Sequence, residues 1–283
     1  MKLFERGPIF VVGAQRSGTS WVQRLLAAHP DIVGGQESHL FSGYLGPMWH
    51  RWHAEQAARS GGRTVGLACY LTEEELVDEM RRLARRVFAG LERAKPDARL
   101  LVEKTPDHGL CLPLIRRVFP DAMVVHVLRD GRDVAASLRD ASRQPWGASW
   151  ATPSAEDGAR RWLLWVRTIQ RDIVQFPRSC TVRYEDLLAR GRDQLAELYE
   201  AVGAQLPLHE VGAIYDRWGF EASATGGADS LVVDGACRGE RPGEPDGFFR
   251  RGRSGAWQTD LSVSEQVLVH AIAGDLLREL GYS

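Results

Sequence analysis

The chain has 283 residues, enough for one large domain or two small ones, and its 44% hydrophobic and 26% charged residues are ordinary globular proportions with ample material for a core. The formal net charge of −1 excludes a general basic field of the kind that recruits nucleic acid. Cys69, Cys111, Cys180 and Cys237 are far apart and form no CxxC pair, the first residues are too short for a secretory signal, and no apolar run approaches the ~18 residues of a membrane span. A soluble, cytoplasmic protein is the expectation.

Ile9 to Gly13 reads as a buried strand, and Gly18 to Ala28 as a helix with Trp21, Val22, Leu25 and Leu26 at helical spacing, ended by Pro30. Ser38 to Arg59 is rich in Trp, His, Tyr, Gly and Pro and has no clear period. Thr72 opens TEEE, a capping box with Glu75, and predicts a helix to about Arg93. Leu100 to Val102 is a short strand, Leu110 to Phe119 a short helix, and Met123 to Leu128 a strand rich in Val, Met and Leu. Helices are then expected from Asp130, over Ser154 to Phe176, over Asp186 to Val202 and over Ser262 to Leu280, with a strand at Ser179 to Tyr184. Gly219 to Gly255 is dense in Gly, Pro, Asp and Arg, which suits a lid or binding loop within a single domain. Strands alternating with helices predict an α/β fold, a parallel sheet flanked by helices, with ligands at the carboxyl ends of the strands.

The segment PIFVVGAQRSGTSW has the layout of a phosphate-binding loop, in which backbone N–H groups of a Gly-bounded turn and a helix N-terminus favour an anion. Gly13 and Gly18 allow the turn, and Ser17, Thr19 and Ser20 offer hydroxyls. The lysine that nucleotide hydrolases place before the last hydroxyl is absent, and the loop cation is Arg16. A second oxyanion clamp is expected where MVVHVL runs into RDGRDVAASL, with Arg129 at the strand end and Ser137 two turns along the next helix. There Asp130 and Asp133 also suit a helix N-terminus, and Arg132 a solvated position. A third segment, FFRRGRSGAWQ, interleaves Arg250, Arg251 and Arg253 with glycines and aromatics.

Together these segments resemble the sulfotransferases that use 3′-phosphoadenosine-5′-phosphosulfate (PAPS). The resemblance rests on QRSGTS (Gln15 to Ser20), Arg129 with Ser137, RYEDL with Tyr184, and Arg250, Arg251 and Gly252, in order from residue 8 to residue 258. It implies a P-loop-like sulfotransferase architecture. The first loop would cradle the 5′-phosphosulfate, the Arg–Ser pair would hold the 3′-phosphate, and the C-terminal loop would close over it. It also implies sulfuryl transfer without a metal, leaving adenosine 3′,5′-bisphosphate (PAP).

Under that resemblance Arg16 is assigned to the leaving-group side, with Lys104 of VEKTPDH as the second cation. Three groups are candidates for the base. Glu37 matches the glutamate of tyrosylprotein sulfotransferases by its distance from RSGT, Glu103 matches that of heparan-type enzymes, and His108 is displaced from the histidine of small-molecule enzymes. They rank in that order. Phe41, Tyr44, Trp49 and His53, with Trp146 and Trp150, are expected to wall a pocket for a small or medium acceptor, such as an aromatic natural product. Acceptor identity, oxygen or nitrogen as acceptor atom, and oligomeric state stay open. The rival readings are a nucleotide kinase or hydrolase on the same sheet, and a sulfotransferase-like module that binds nucleotide without catalysis.

Overall fold

The computed structural model describes residues 6–59, 65–219, 248 and 252–282. Five parallel strands form one sheet in the order β2-β3-β1-β4-β5. They are β1 (Ile9–Val12), β2 (Ile32–Gly34), β3 (Leu100–Lys104), β4 (Met123–Leu128) and β5 (Arg178–Arg183). Alternate side chains of each strand enter different cores, as the two-residue period requires. Phe10, Val12, Leu101 and Val124 face one layer. Ile9, Val11, Leu100, Val102, Met123 and Val125 face the other.

The first layer is built from α2 (Gly46–Arg59), α3 (Glu73–Ala94) and α4 (Leu112–Val118). The second is built from α1 (Thr19–Ala27), α7 (Tyr184–Arg190), α8 (Arg192–Val202) and α9 (Leu208–Trp218). Helices α5 (Gly131–Ser142), α6 (Ala155–Ile173), α10 (Trp257–Asp260) and α11 (Val263–Glu279) pack beside the end of β4. The Thr72 and Ser262 capping boxes both form, and Ser154 caps α6 by accepting from the Asp157 amide.

Several elements differ from expectation. The single helix over Asp186 to Val202 is two helices, broken where Gly191 takes φ 45°. The Leu110 to Phe119 helix is a 3₁₀ turn, Pro106–Leu110, followed by α4. The segment from Ser38 is a π-helical stretch, Leu40–Leu45, that runs into α2. Strand β2 and helix α9 carried no separate sequence signal. Most of the expected lid, residues 220–247, lies outside the described residues.

Because every strand is parallel, all five carboxyl ends open on one edge. Order falls to β2 and β3 on one side of β1 and to β4 and β5 on the other, so the edge above β1 is the switch point where α/β sheets bind ligands.

Candidate active site

A cavity of about 430 Å³ lies at that edge. Each wall follows a strand. Gln15, Arg16, Gly18, Thr19, Ser20 and Trp21 come from the turn after β1 and the start of α1. Glu37 and His39 follow β2, Pro106 and Asp107 follow β3, Arg129, Asp133 and Ser137 follow β4, and Tyr184 follows β5. Trp150, Phe248, Gly252, Arg253, Ala256 and Asp260 complete the lining.

The turn after β1 is tight. Gly18 sits at φ 96°, and a Cβ there would come within 2.6 Å of the Tyr184 ring. Only glycine meets both demands. Arg16 and His39 are the positive-φ residues other than glycine in the described chain, at 72° and 48°, and both line this cavity. Left-handed backbone at a non-glycine residue is held only where its surroundings fix it, and such residues gather at functional sites. His39 is fixed by Thr105 Oγ1, which accepts from its amide, and by its carbonyl, which accepts from Gly43.

At one end of the cavity the cations cluster. Arg16 Nε donates to Ser137 Oγ at 3.1 Å and Nη2 to the Phe248 carbonyl at 2.6 Å, with the guanidinium over the Phe248 and Trp146 rings. Arg129 Nη1 donates to the Arg16 carbonyl at 3.1 Å and its guanidinium lies 4.2 Å over Tyr184, while its buried Nε has no partner among the described residues. Asp133 accepts from the amides of Gly255 and Trp257, both at 2.9 Å, and so fastens the last loop to α5. Burial pushes the Asp133 carboxyl up, and Arg129 and the two amides pull it back.

At the other end Lys104 Nζ donates to Ser20 Oγ at 3.0 Å and forms an ion pair with Glu37 Oε1. Lys104 is nearly buried, while Glu37 keeps 35% of its side chain exposed toward the cavity. His39 Nε2 stands 3.4 Å from the free Glu37 Oε2. This end can take a proton from a group entering the cavity while an ammonium faces the anion loop.

The profile described as Sulfotransferase family matches residues 8–208, most of the chain. The chain belongs to the sulfotransferase family. This sulfotransferase is 28% identical over 182 residues to protein-tyrosine sulfotransferase 1 of Danio rerio, a match covering 64% of this chain and 48% of that one. It is 25% identical over 296 residues to nodulation protein NoeE of Sinorhizobium fredii, covering 96% of this chain and 65% of that one. It therefore spans from about half to just under two thirds of the length of these two curated relatives. In structure it resembles mouse sulfotransferase SULT7A1 complexed with PAP, with TM-score 0.60 at 13% identity over 96% of this chain and 84% of that chain. The sulfotransferase domain from the curacin biosynthetic pathway gives TM-score 0.58 at 17% identity over 96% and 98%. The five-stranded parallel sheet and its flanking helices form the P-loop-like sulfotransferase fold.

The sulfotransferase brings together Gln15, Arg16, Gly18, Thr19, Ser20, Glu37, Arg129, Ser137, Tyr184 and Gly252 in one cavity, with Lys104 beneath it. Other expected residues lie elsewhere. Ser17 turns its hydroxyl inward, buried and without a partner among the described residues. Arg16 directs its guanidinium to Ser137 rather than to the Lys104 end where the leaving group was expected. Arg250 and Arg251 lie outside the described residues, while Arg253 lines the cavity. Arg132, read as solvated in one alternative, pairs with Asp130 and lies 4.1 Å over Trp257.

Glu103 and His108 do not reach the cavity. Glu103 Oε1 accepts from the Ser38 amide and hydroxyl and from Thr105 Oγ1, and Oε2 meets His108 Nδ1 at 2.8 Å. The Phe41 amide donates to His108 Nε2 at 3.0 Å, so the proton that meets Glu103 belongs on Nδ1. Burial favours the neutral Glu103 carboxyl, but His108 and the hydroxyl donors outweigh it and hold the group down to about 2. Both groups have spent their hydrogen-bonding capacity on the scaffold that carries Ser38, next to Glu37.

The expected acceptor wall is also elsewhere. Phe41 is packed against Phe10, Phe119 and His108 in the layer under β1. Trp49 stacks on Trp52 and packs at a tilt against His53 on α2, and Tyr44 is 67% exposed. None of Phe41, Tyr44, Trp49 and His53 lines the cavity. The aromatic composition of that stretch reflects a helix packed on the sheet. Trp21, Trp150, Tyr184 and Phe248 line the cavity; Trp150 was expected as acceptor wall and Tyr184 as a cofactor residue. Asp107, His39 and Asp133 were not singled out as site residues. Asp107 lay inside the quoted VEKTPDH, and its place after a strand end was the available signal.

Proposed function

We propose that this sulfotransferase uses PAPS and passes its sulfuryl group to a hydroxyl, or amine, of a small or medium acceptor, with Glu37 as the base. The reading is carried by one observation: Lys104 joins Ser20 of the anion loop to Glu37 across the cavity. The residues fit a nucleotide with two anionic groups. Arg16, Arg129 and Ser137 supply donors at one end, Ser20, Thr19 and the loop amides at the other, and a buried Arg129 Nε is left to be satisfied.

Bound there, PAPS supplies a sulfuryl group activated by its phosphate leaving group. Arg129, Arg16 and Ser137 would hold the 3′-phosphate by charge-assisted hydrogen bonds. The amides of the β1–α1 turn would orient the 5′ end at the start of α1. Lys104 would stabilise negative charge as it builds on the leaving oxygen, and would orient Glu37 through their ion pair. Glu37 would then remove the acceptor proton as the new bond forms. Glu103, Thr105 and His108 would act at one remove, by fixing Ser38 and hence the neighbouring Glu37. The cavity of about 430 Å³, with Trp150 and Trp21 in its lining, supports a compact acceptor over a long acidic polymer.

The test is calorimetric titration with PAP, followed by a single-turnover incubation with PAPS and a panel of phenols, alcohols, amines and peptides, read by mass spectrometry for one added sulfonate. PAP binding with transfer to a compact acceptor is expected. Modification of sulfated or uronic-acid polymers alone would overturn the acceptor class. PAP binding with no transfer to any acceptor would leave a nucleotide-binding module.

A further inference from the structure

The proposed chemistry gives no role to the Asp107 carboxylate, which lines the cavity. Asp107 lies in the 3₁₀ turn after β3, half-buried, and lines the same cavity as Glu37 and Gln15. Its oxygens accept from Gln15 Nε2 at 3.0 and 3.2 Å and from Trp165 Nε1 at 3.3 Å. These donors are neutral, and among the described residues no Lys or Arg nitrogen comes within 4.0 Å of it. The guanidinium of this network, on Arg161, stands behind Gln15. Its Nη1 donates to Gln15 Oε1 at 2.8 Å and to the Trp150 carbonyl at 2.6 Å. The Gln15 amide therefore separates the two charges.

The rest of this end is balanced. Glu37 is matched by Lys104, and His39 faces Glu37. Among the described residues, Asp107 is thus a cavity charge without direct ionic contact. A carboxylate on a partly desolvated wall binds a charged donor more strongly than a neutral one, and an anionic acceptor there would face two carboxylates. Gln15 and Trp165 hold the carboxylate in place, so little side-chain order is lost when a ligand meets it.

We infer that Asp107 selects the acceptor: the compound sulfated carries a protonated amine that docks on the Asp107 carboxylate while its hydroxyl faces Glu37. This rests on the acceptor-end reading given above, and it goes further by naming a cationic acceptor class and the residue that chooses it. The amine docked on Asp107 stays protonated, and the reacting proton is the hydroxyl proton taken by Glu37.

The experiment uses matched triads of cation, neutral and anion: tyramine, 4-methylphenol and 4-hydroxyphenylacetate, and 5-aminopentanol, pentanol and 5-hydroxypentanoate. PAP binding is measured first, because its loss counts against the nucleotide reading and leaves the triads to judge Asp107 on the free protein. Dissociation constants are then compared for wild type and Asp107→Asn, whose side-chain oxygen still accepts from Gln15 or Trp165. The amine is expected to bind about tenfold more tightly than its neutral partner in at least one triad, the anion weakest, with the preference falling to within about threefold in Asp107→Asn. The wild-type ranking stands without the variant. Equal ranking, anion preference, no binding by either amine, or an unchanged preference in Asp107→Asn would each overturn the assignment.

Discussion

Replacing Glu103 with Gln separates a scaffold carboxylate from a base. Glu103 is 3% exposed and its two oxygens take the Ser38 amide, the Ser38 and Thr105 hydroxyls and His108 Nδ1. Glutamine keeps one oxygen and puts an NH₂ where the other stood. If that NH₂ faces His108 it meets a donor, because Nε2 must go on accepting from the Phe41 amide. If it faces Ser38 and Thr105 it strands the Ser38 amide. A buried donor left unmet costs about 1–3 kcal/mol, so a loss of about 2–4 kcal/mol is expected once two contacts are disturbed. For a chain of this size that lowers Tm by about 4–8 °C, taking about 2 °C per kcal/mol. Scanning calorimetry measures this, and single-turnover transfer at a temperature well below both midpoints measures chemistry. Glu103→Gln should retain chemistry within about tenfold, whereas Glu37→Gln should lose about 10²-fold or more, the ordinary worth of a positioned base. A Glu103→Gln protein with unchanged Tm and a transfer rate down by the larger factor would refute the reasoning and make Glu103 the base.

Gly18→Ala is expected to cost about 2–4 kcal/mol, from a left-handed backbone and a Cβ driven into the Tyr184 ring, and to weaken PAP binding because Tyr184 supports Arg129; urea unfolding and calorimetry measure the two losses. His126, buried on β4, is pushed by burial down to about 4 from its ordinary 6.5. The unfolded chain therefore takes up a proton that the folded chain refuses. Its contribution is present above pH 6.5 and about 3 kcal/mol of stability is lost as pH falls toward 4. His126→Leu should flatten the urea-unfolding midpoint across that window. The Glu103 contribution has the opposite origin, a depressed carboxylate, and is lost only between about 4.5 and about 2.

The strands that carry the site were legible because each is a short apolar run ending in polar residues. Met123–Leu128 matches expectation, and Arg129 follows it directly. Parallel topology then places the ends of strands at one edge, which is why segments as distant as Gln15 and Ser137 could be assigned to one cavity before their contacts were known. The Glu37, Glu103 and His108 choice was not legible, because spacing to a motif does not say which way a side chain points. Glu103 and Lys104 are consecutive, yet Lys104 reaches the cavity side and Glu103 the opposite layer, as strand alternation demands. Applying that period to VEKTP separates the two residues. The aromatic stretch misled for a different reason. Tryptophan, tyrosine and histidine suit both a ligand wall and a helix packed on a sheet, and nothing in the composition tells a π-helical entry into α2 from a pocket loop.

The missing loop lysine has a structural answer with a measurable consequence. Val11 of β1 lies in register with Lys104 of β3, so the neighbouring strand ends level with the anion loop. Lys104 Nζ then reaches Ser20, the hydroxyl position that binds magnesium in nucleotide hydrolases. A lysine has returned to the site, but it sits on the magnesium oxygen instead of beside the terminal phosphates. A divalent ion sharing that oxygen would stand roughly 4 Å from an ammonium, a repulsion of about 8 kcal/mol at an effective dielectric of about 20. PAP binding should therefore be the same in excess EDTA as in millimolar magnesium. Lys104→Met should weaken it, and magnesium should not restore it. Titration calorimetry under the two conditions decides the matter: a tenfold gain in PAP affinity with magnesium in the wild-type protein would show that Lys104 does not occupy the metal's place, and the nucleotide-hydrolase reading of the loop would return.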